Sequence, residues 1–147
     1  MTFISVTRLR LRSIRHLPGF AWFAVRSRNQ ASGAAGFRGG AVLADRRWTF
    51  WTVTAWDNRD SMRDYMTTGP HRSVMPRLAA WCDEASIVHW DQAHAELPTW
   101  AEADRRMRTE GRPSKVHRPG EHHAALSFPP PRETGAAPIM PAGRAKA

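Results

Sequence analysis

Arg46-Arg47-Trp48-Thr49-Phe50-Trp51-Thr52-Val53-Thr54-Ala55-Trp56 is the stretch from which the rest of the chain is read. Its β-branched and aromatic residues suit a pleated strand. At period two, Trp48, Phe50, Thr52, Thr54 and Trp56 share one face and Thr49, Trp51, Val53 and Ala55 the other. Both faces carry apolar bulk, so both need cover. Helices can cover one; the other calls for a partner sheet, a partner chain or a ligand. Five of the seven Trp lie between Arg47 and Asp91, at positions 48, 51, 56, 81 and 90.

Downstream, Asp57 or Asn58 can cap a helix. Met62, Tyr65 and Met66 follow at helical spacing, and Gly69-Pro70 breaks the pattern. His71, Val74, Met75, Leu78, Trp81 and Cys82 form a second apolar helical stripe. Pro76 within it predicts a kink, or a regular part that starts near Met75. Asp83-Glu84 turns the chain into a last strand, Ala85 to Trp90.

Upstream, Thr2 to Arg12 alternates, with Leu9 and Leu11 on one face and Arg8, Arg10 and Arg12 on the other. It reads as a strand whose Arg end is exposed. His16 to Ser32 reads as a helix, with Pro18 in its first turn. Gly36 to Asp45 reads as a strand whose glycines suggest a bulge. A short connection, Asp45-Arg46-Arg47, leads into the aromatic strand. The order β-α-β-β-α-β predicts an α+β, ferredoxin-like unit: a four-stranded antiparallel sheet with helices on one face. Residues 1–95 form this domain, 96–110 a short C-terminal helix, and 111–147 a basic Pro/Gly/Ala-rich tail expected to be disordered.

Of the 147 residues 22 are Lys or Arg and 13 are acidic, but the excess is uneven. Residues 1–104 hold 13 Arg against 10 acids, whereas 105–147 hold nine cations against three Glu. Only Lys115 and Lys146 are Lys, a bias that a GC-rich genome produces, so the Arg content does not imply specific nucleic-acid recognition. The basic tail leaves non-specific attraction to nucleic acid or anionic lipid open. One cysteine, Cys82, excludes an internal disulfide and a cysteine-rich zinc site. No apolar run reaches membrane-span length and the N-terminus has no signal pattern, so the expected location is cytoplasmic, without membrane insertion. No nucleophile elbow, phosphate loop or dinucleotide fingerprint is present. Gly36, Gly39 and Gly40 open a strand rather than a helix, which rejects a phosphate cradle. His89 and His94 lack the carboxylate that a metal site would need, so no metal is expected.

The strand ending Trp51-Thr52-Val53-Thr54-Ala55-Trp56-Asp57, followed by the helix through Met62 and Tyr65 into Gly69-Pro70-His71-Arg72, resembles the dimeric α+β barrel superfamily. Within it the chain is most similar to antibiotic-biosynthesis-monooxygenase-like proteins, an uncharacterised branch among them, and more distantly to spheroidene monooxygenase. The resemblance covers residues 2–92. It implies a homodimer whose two sheets pack face to face as a barrel, which would cover the second face of the aromatic strand. It also implies a pocket between each sheet and its own helices. Members include cofactor-free oxygenases, haem-dependent and haem-degrading enzymes, and proteins with no known activity. The haem-degrading members use an Asn on the first strand, a Trp on the second helix and a His beyond it. Here the first strand has no Asn, Tyr65 stands at the Trp position, Met75 falls near the His position, and His71 lies one turn earlier. The expectation is no cofactor, with haem on His71 as the residual option.

The candidate site follows. Trp22, Trp51 and Trp56 would shape a pocket for a planar apolar molecule, and Tyr65 and His71 would orient or deprotonate it. Plain core packing is the competing account of the tryptophans, and a helix-capping or backbone-bonded role that of His71. Two function classes remain: a monooxygenase-like protein that binds and oxidises a small apolar or aromatic ligand, and a non-enzymatic ligand-binding or scaffold dimer with a basic tail.

Overall fold

The structure, a computed structural model, describes residues 1–142. The chain forms β1 (Thr2–Leu11), α1 (Leu17–Ser32), β2 (Phe37–Asp45), β3 (Thr49–Trp56), α2 (Arg59–Met66), α3 (Gly69–Trp81), β4 (Cys82–Gln92), α4 (Trp100–Glu110), β5 (Arg112–Pro113) and β6 (Ala136–Ile139). The strands make one antiparallel sheet in the order β5-β4-β1-β3-β2-β6. The α+β, ferredoxin-like unit read from the sequence is therefore present, but the sheet has six strands rather than four. Both additions come from the tail that was expected to be disordered. Their proline-containing segments suit the two sheet edges, where a missing N–H breaks no inner ladder. The last part of that expected tail, residues 143–147, lies outside the described residues.

Local chemistry accounts for the helix starts. Pro18 sits in the first turn of α1. Of the two possible caps on α2, Asn58 serves: its side chain accepts from the Ser61 N–H at 2.9 Å. Thr99 caps α4 by accepting from the Glu102 N–H at 3.1 Å, the first half of a capping box. Pro76 is carried inside α3 rather than ending it. The bulge expected in β2 falls between Phe37 and Gly39, and Gly39 takes φ +146° there. At Gly40 an added Cβ would meet the Val53 carbonyl oxygen at 2.5 Å, so glycine allows this close strand approach.

The two faces of the sheet are covered differently. Phe3, Ser5, Thr7 and Leu9 of β1 lie on the side of α1, α2 and α3, together with Thr52, Thr54 and Trp56 of β3. On the opposite side Ile4, Val6, Trp51, Val53, Val88 and Trp90 pack against Ala103 and Met107 of α4 and against Phe128. The cover assigned from sequence to a partner or a ligand is thus supplied by the chain's own C-terminal segment. Met107 is fully buried and Phe128 is 2% exposed. Burial of one such side chain contributes roughly 1.5–3 kcal/mol.

The expected exposure of the β1 arginines fails at Arg8, which is 3% exposed. β4 starts at Cys82, so Asp83 and Glu84 belong to a strand rather than a turn. This brings Glu84 beside β1, where Arg8 donates to it at 3.0 Å and Arg10 at 2.8 Å. Arg8 also lies 3.9 Å from the centre of the Phe128 ring, and Arg108 of α4 lies 4.4 Å from it. A guanidinium flanked by a carboxylate and an aromatic ring is compensated in two ways, which permits its burial.

Candidate functional site

A cavity of about 200 Å³ lies between the sheet and α1–α3. It exists because β1 and β3 place small residues on this side: Ser5 and Thr7 face it from one strand, Thr52 and Thr54 from the next. Larger side chains at these positions would fill the space. Phe20, Phe23 and Leu78 supply apolar walls from the helices. The volume falls below the ~300–1,000 Å³ common for drug-sized ligands, so the space suits a small molecule.

Tyr65 and His71 both line this cavity, with ring centres 4.7 Å apart. The Tyr65 hydroxyl donates to the Ser27 carbonyl at 3.2 Å. Burial pushes its pKa up to about 12, against a smaller opposing effect of the Ser27 bond. Tyr65 is therefore a neutral phenol whose oxygen can still accept a hydrogen bond, and not a tyrosinate base.

His71 Nδ1 lies 3.4 Å from the Met66 carbonyl oxygen. A carbonyl can only accept, so Nδ1 is assigned the proton and Nε2 keeps the lone pair. Burial lowers the His71 pKa and the Met66 bond only partly opposes this. At neutral pH the ring is neutral and its Nε2 can accept a proton, the form a general base needs.

Gln30, to which the sequence analysis assigns no role, holds these groups together. Its Oε1 accepts from the His71 backbone N–H at 2.9 Å, while its Nε2 donates to the carbonyls of Tyr65 at 3.0 Å and Thr68 at 2.8 Å. One side chain of α1 thereby ties the end of α2 to the start of α3. Gly69 takes φ +60° beside it, and an added Cβ there would press on the Gln30 amide at 3.3 Å. The Ser5/Thr7 and Thr52/Thr54 pairs were also missed as a cavity floor. Their signal was small polar residues recurring at period two within otherwise large apolar strands.

The three predicted pocket tryptophans separate. Trp56 is fully buried and backs Tyr65, with ring centres 5.2 Å apart, without lining the cavity itself. Trp51 points to the opposite sheet face, where it packs edge-on against Phe128 at 5.7 Å and donates to Asp45 at 3.3 Å. The period-two alternation that puts Thr52 and Thr54 in the floor requires this. Trp22 is 64% exposed on the outer side of α1, one position off the inward-facing Phe23. Neither Trp51 nor Trp22 reaches the cavity.

The residues present do not fit haem. His71 could present Nε2, but a porphyrin is larger than the ligands accommodated by a space of about 200 Å³. Among the described residues, no cluster of three or more His, Cys, Asp or Glu could hold a metal ion. Cys82 is buried, and burial followed by the nearby Asp83 charge pushes its thiol up to about 12, which leaves it unreactive.

Several solved structures share this architecture. A proposed antibiotic biosynthesis monooxygenase from Nitrosomonas europaea matches with a TM-score of 0.57 and 12% identity, over 63% of this chain and 91% of that one. SnoaB, a cofactor-independent oxygenase from Streptomyces nogalater, matches with a TM-score of 0.53 and 16% identity, over 67% and 98%. A dimeric ferredoxin-like protein of unknown function from Thermobifida fusca matches with a TM-score of 0.52 and 15% identity, over 63% and 92%. At these identities the likeness establishes the monooxygenase-like, ferredoxin-type fold and nothing about chemistry. No curated protein matches the sequence. Residues 7–134 match the family model described as "Domain of unknown function (DUF3291)".

Proposed function

This chain belongs to the DUF3291 family of domains of unknown function, and from that premise we propose that it binds a small planar apolar molecule between helices and sheet and oxidises it without a cofactor. One observation carries the reading: a neutral imidazole with its Nε2 lone pair available stands beside a phenol on the wall of a cavity with apolar walls and a floor of small Ser and Thr side chains. The resemblance to cofactor-independent oxygenases supplies the reaction class.

In the proposed reaction Tyr65 orients an oxygen of the substrate by accepting its hydrogen bond. His71 Nε2 removes a proton from an activated C–H of the substrate, leaving a carbanion and an imidazolium. The carbanion transfers electrons to O₂ and forms a C–O bond, giving a peroxide anion that recovers the proton from His71. Loss of water then leaves a carbonyl, so that CH₂ plus O₂ becomes C=O plus H₂O. Trp56 contributes by fixing the Tyr65 ring from behind.

Residues 1–95 form the binding domain in this proposal. The segments beyond it are accessory, although Ser114, Lys115 and Ile139 also reach the cavity lining. The homodimer belongs to the same proposal with one restriction: α4 occupies the sheet face on which a barrel partner would pack, so a second copy docks elsewhere or displaces α4. The proposed location is the cytoplasm; among the described residues no helix is long and apolar enough to cross a membrane.

The test is oxygen uptake by purified protein supplied with hydroxytetralones and related compounds that carry an acidic CH₂ beside a carbonyl. Uptake that is lost in His71→Ala supports the oxidation. Binding without uptake by any such compound would reduce the function to ligand carriage.

A further inference from the structure

A second, polar cleft of about 170 Å³ opens at the β4 side of the sheet, lined by Arg59, Ile87, Val88, His89, Glu110 and Arg112. Ile87 also lines the apolar cavity, so the two spaces adjoin at that residue. The fold places two cations here from distant parts of the chain. Arg112 pairs with Ile87 in the β4–β5 ladder, and Arg59 is the first residue of α2, its guanidinium 5.5 Å from the centre of the Phe3 ring.

Neither guanidinium has a carboxylate within ion-pair distance among the described residues, in contrast to Arg8, Arg10, Arg38, Arg106 and Arg108. Glu110, the one acid of the cleft, is paired with Arg106 at 3.2 Å. His89 packs its ring against Phe3, with centres 5.3 Å apart. Its Nε2 is buried and has no hydrogen-bond partner among the described residues. Burial, then the charges of Arg112 and Arg59, lower the pKa of this imidazole. A buried ring nitrogen without a partner is costly whether it carries the proton or the lone pair, and two uncompensated guanidiniums beside it make a site for negatively charged oxygen, which the Nε2–H tautomer would meet as a donor.

We propose that this cleft is an oxyanion site that takes a carboxylate or phosphate group, with Arg59 and Arg112 as charge partners and His89 Nε2–H as the inner donor. Guanidiniums suit such groups because their paired N–H donors match two oxygens at once. The anion is either free in solution or the acid end of a molecule whose apolar part lies beyond Ile87. The site does not depend on the oxidation proposed above, nor on the apolar cavity being occupied.

The experiment follows the imidazole and guanidinium signals of the intact chain by NMR during titration with inorganic phosphate, at fixed pH and with ionic strength held by chloride. A saturable shift of the His89 ring is expected, with affinity reduced at least tenfold in Arg59→Gln and in Arg112→Gln. Both side chains are exposed, and unchanged melting temperatures would show that the variants keep the fold. A second arm compares 2-naphthoate with 2-naphthol. Tighter binding of the acid, abolished in the two variants, supports the site and identifies the anion as part of a larger ligand. Phosphate binding without a preference for the acid supports the site and identifies a free anion. Phosphate binding with no response to 2-naphthol would sink the cavity reading and leave this one standing. No saturable phosphate shift together with no acid preference, or phosphate affinity equal in wild type and both variants, would overturn the proposal.

Discussion

Gln30 and His71 are joined by a hydrogen bond from the His71 backbone N–H to Gln30 Oε1 at 2.9 Å, across 41 residues of sequence. The same amide donates to two carbonyls, so Gln30→Ala removes three bonds at once. A net loss of about 1–3 kcal/mol is expected, given ~0.5–1.5 kcal/mol per bond and some replacement by water. Urea unfolding should show it. The His71 and Tyr65 ring signals should broaden in the same variant, because the junction of α2 and α3 loses its tie. Unchanged stability and sharp signals would mean that the amide bonds add nothing.

Glu84 holds the arginines of β1. Burial alone would raise its pKa, but the Arg10 hydrogen bond and the Arg8 charge outweigh it and hold the carboxyl below its ordinary value. A depressed folded-state pKa gives stability that is present above the unfolded value of about 4.3 and is lost as pH falls through the folded one. Glu84→Gln strands Arg8 in the interior and should cost about 3–5 kcal/mol at neutral pH. The variant should also lose part of the acid-side slope of stability, which denaturant melts between pH 3 and 7 would reveal. A parallel slope in both proteins would count against the buried pair.

The C-terminal segment stands where a second sheet would pack. Truncation after residue 95 uncovers the face bearing Ile4, Val6, Trp51 and Val53. The truncated chain should form larger species than the full chain at the same concentration, by sedimentation velocity. Met107→Glu in the full chain, which puts a charge into the same contact, should shift the chain the same way. A truncated chain with the same association state and stability as the full chain would contradict the role given to α4.

His71 sets the pH dependence of the proposed site. Its folded-state pKa is lowered by burial, so its neutral form persists to lower pH than for a free histidine. Above the ordinary value of about 6.5 the ring is neutral in both folded and unfolded chains. As pH falls below it, the unfolded chain takes up the proton first and stability declines. Ring-proton NMR should give a His71 midpoint below about 6.5, and any activity should fall with that same midpoint on acidification. Activity that rises on acidification would remove His71 as the base.

Much of the fold is legible in short-range pattern. Alternation marks β1 and β3, helical spacing and Pro18 mark α1, and Gly69-Pro70 marks the break between α2 and α3. The tail is illegible because its burial is not local. Phe128 sits among prolines, and what makes it a core residue is non-local: it packs edge-on against Trp51 in the apolar cluster of the opposite sheet face, with the guanidiniums of Arg8 and Arg108 3.9 and 4.4 Å from its centre. The cavity lining was legible only in part. Tyr65 and His71 follow from position on two consecutive helices. Trp51 falls outside the cavity because the alternation of its own strand sends it to the face opposite Thr52 and Thr54, and Trp22 because it lies one position off the inward-facing Phe23 on α1. Gln30 could not be found from sequence, since its partners are 35 to 41 residues away.

The proposed function requires the cavity to be a ligand site rather than a packing gap. A titration with 2-naphthol, followed through the ring signals of His71 and Tyr65, tests this most directly when paired with Thr52→Phe, which fills the floor without touching either ring's hydrogen bonds. The prediction is saturable binding that shifts both residues in the wild type and disappears in a Thr52→Phe variant that keeps its fold. Equal binding by both proteins, or none by the wild type, would contradict it.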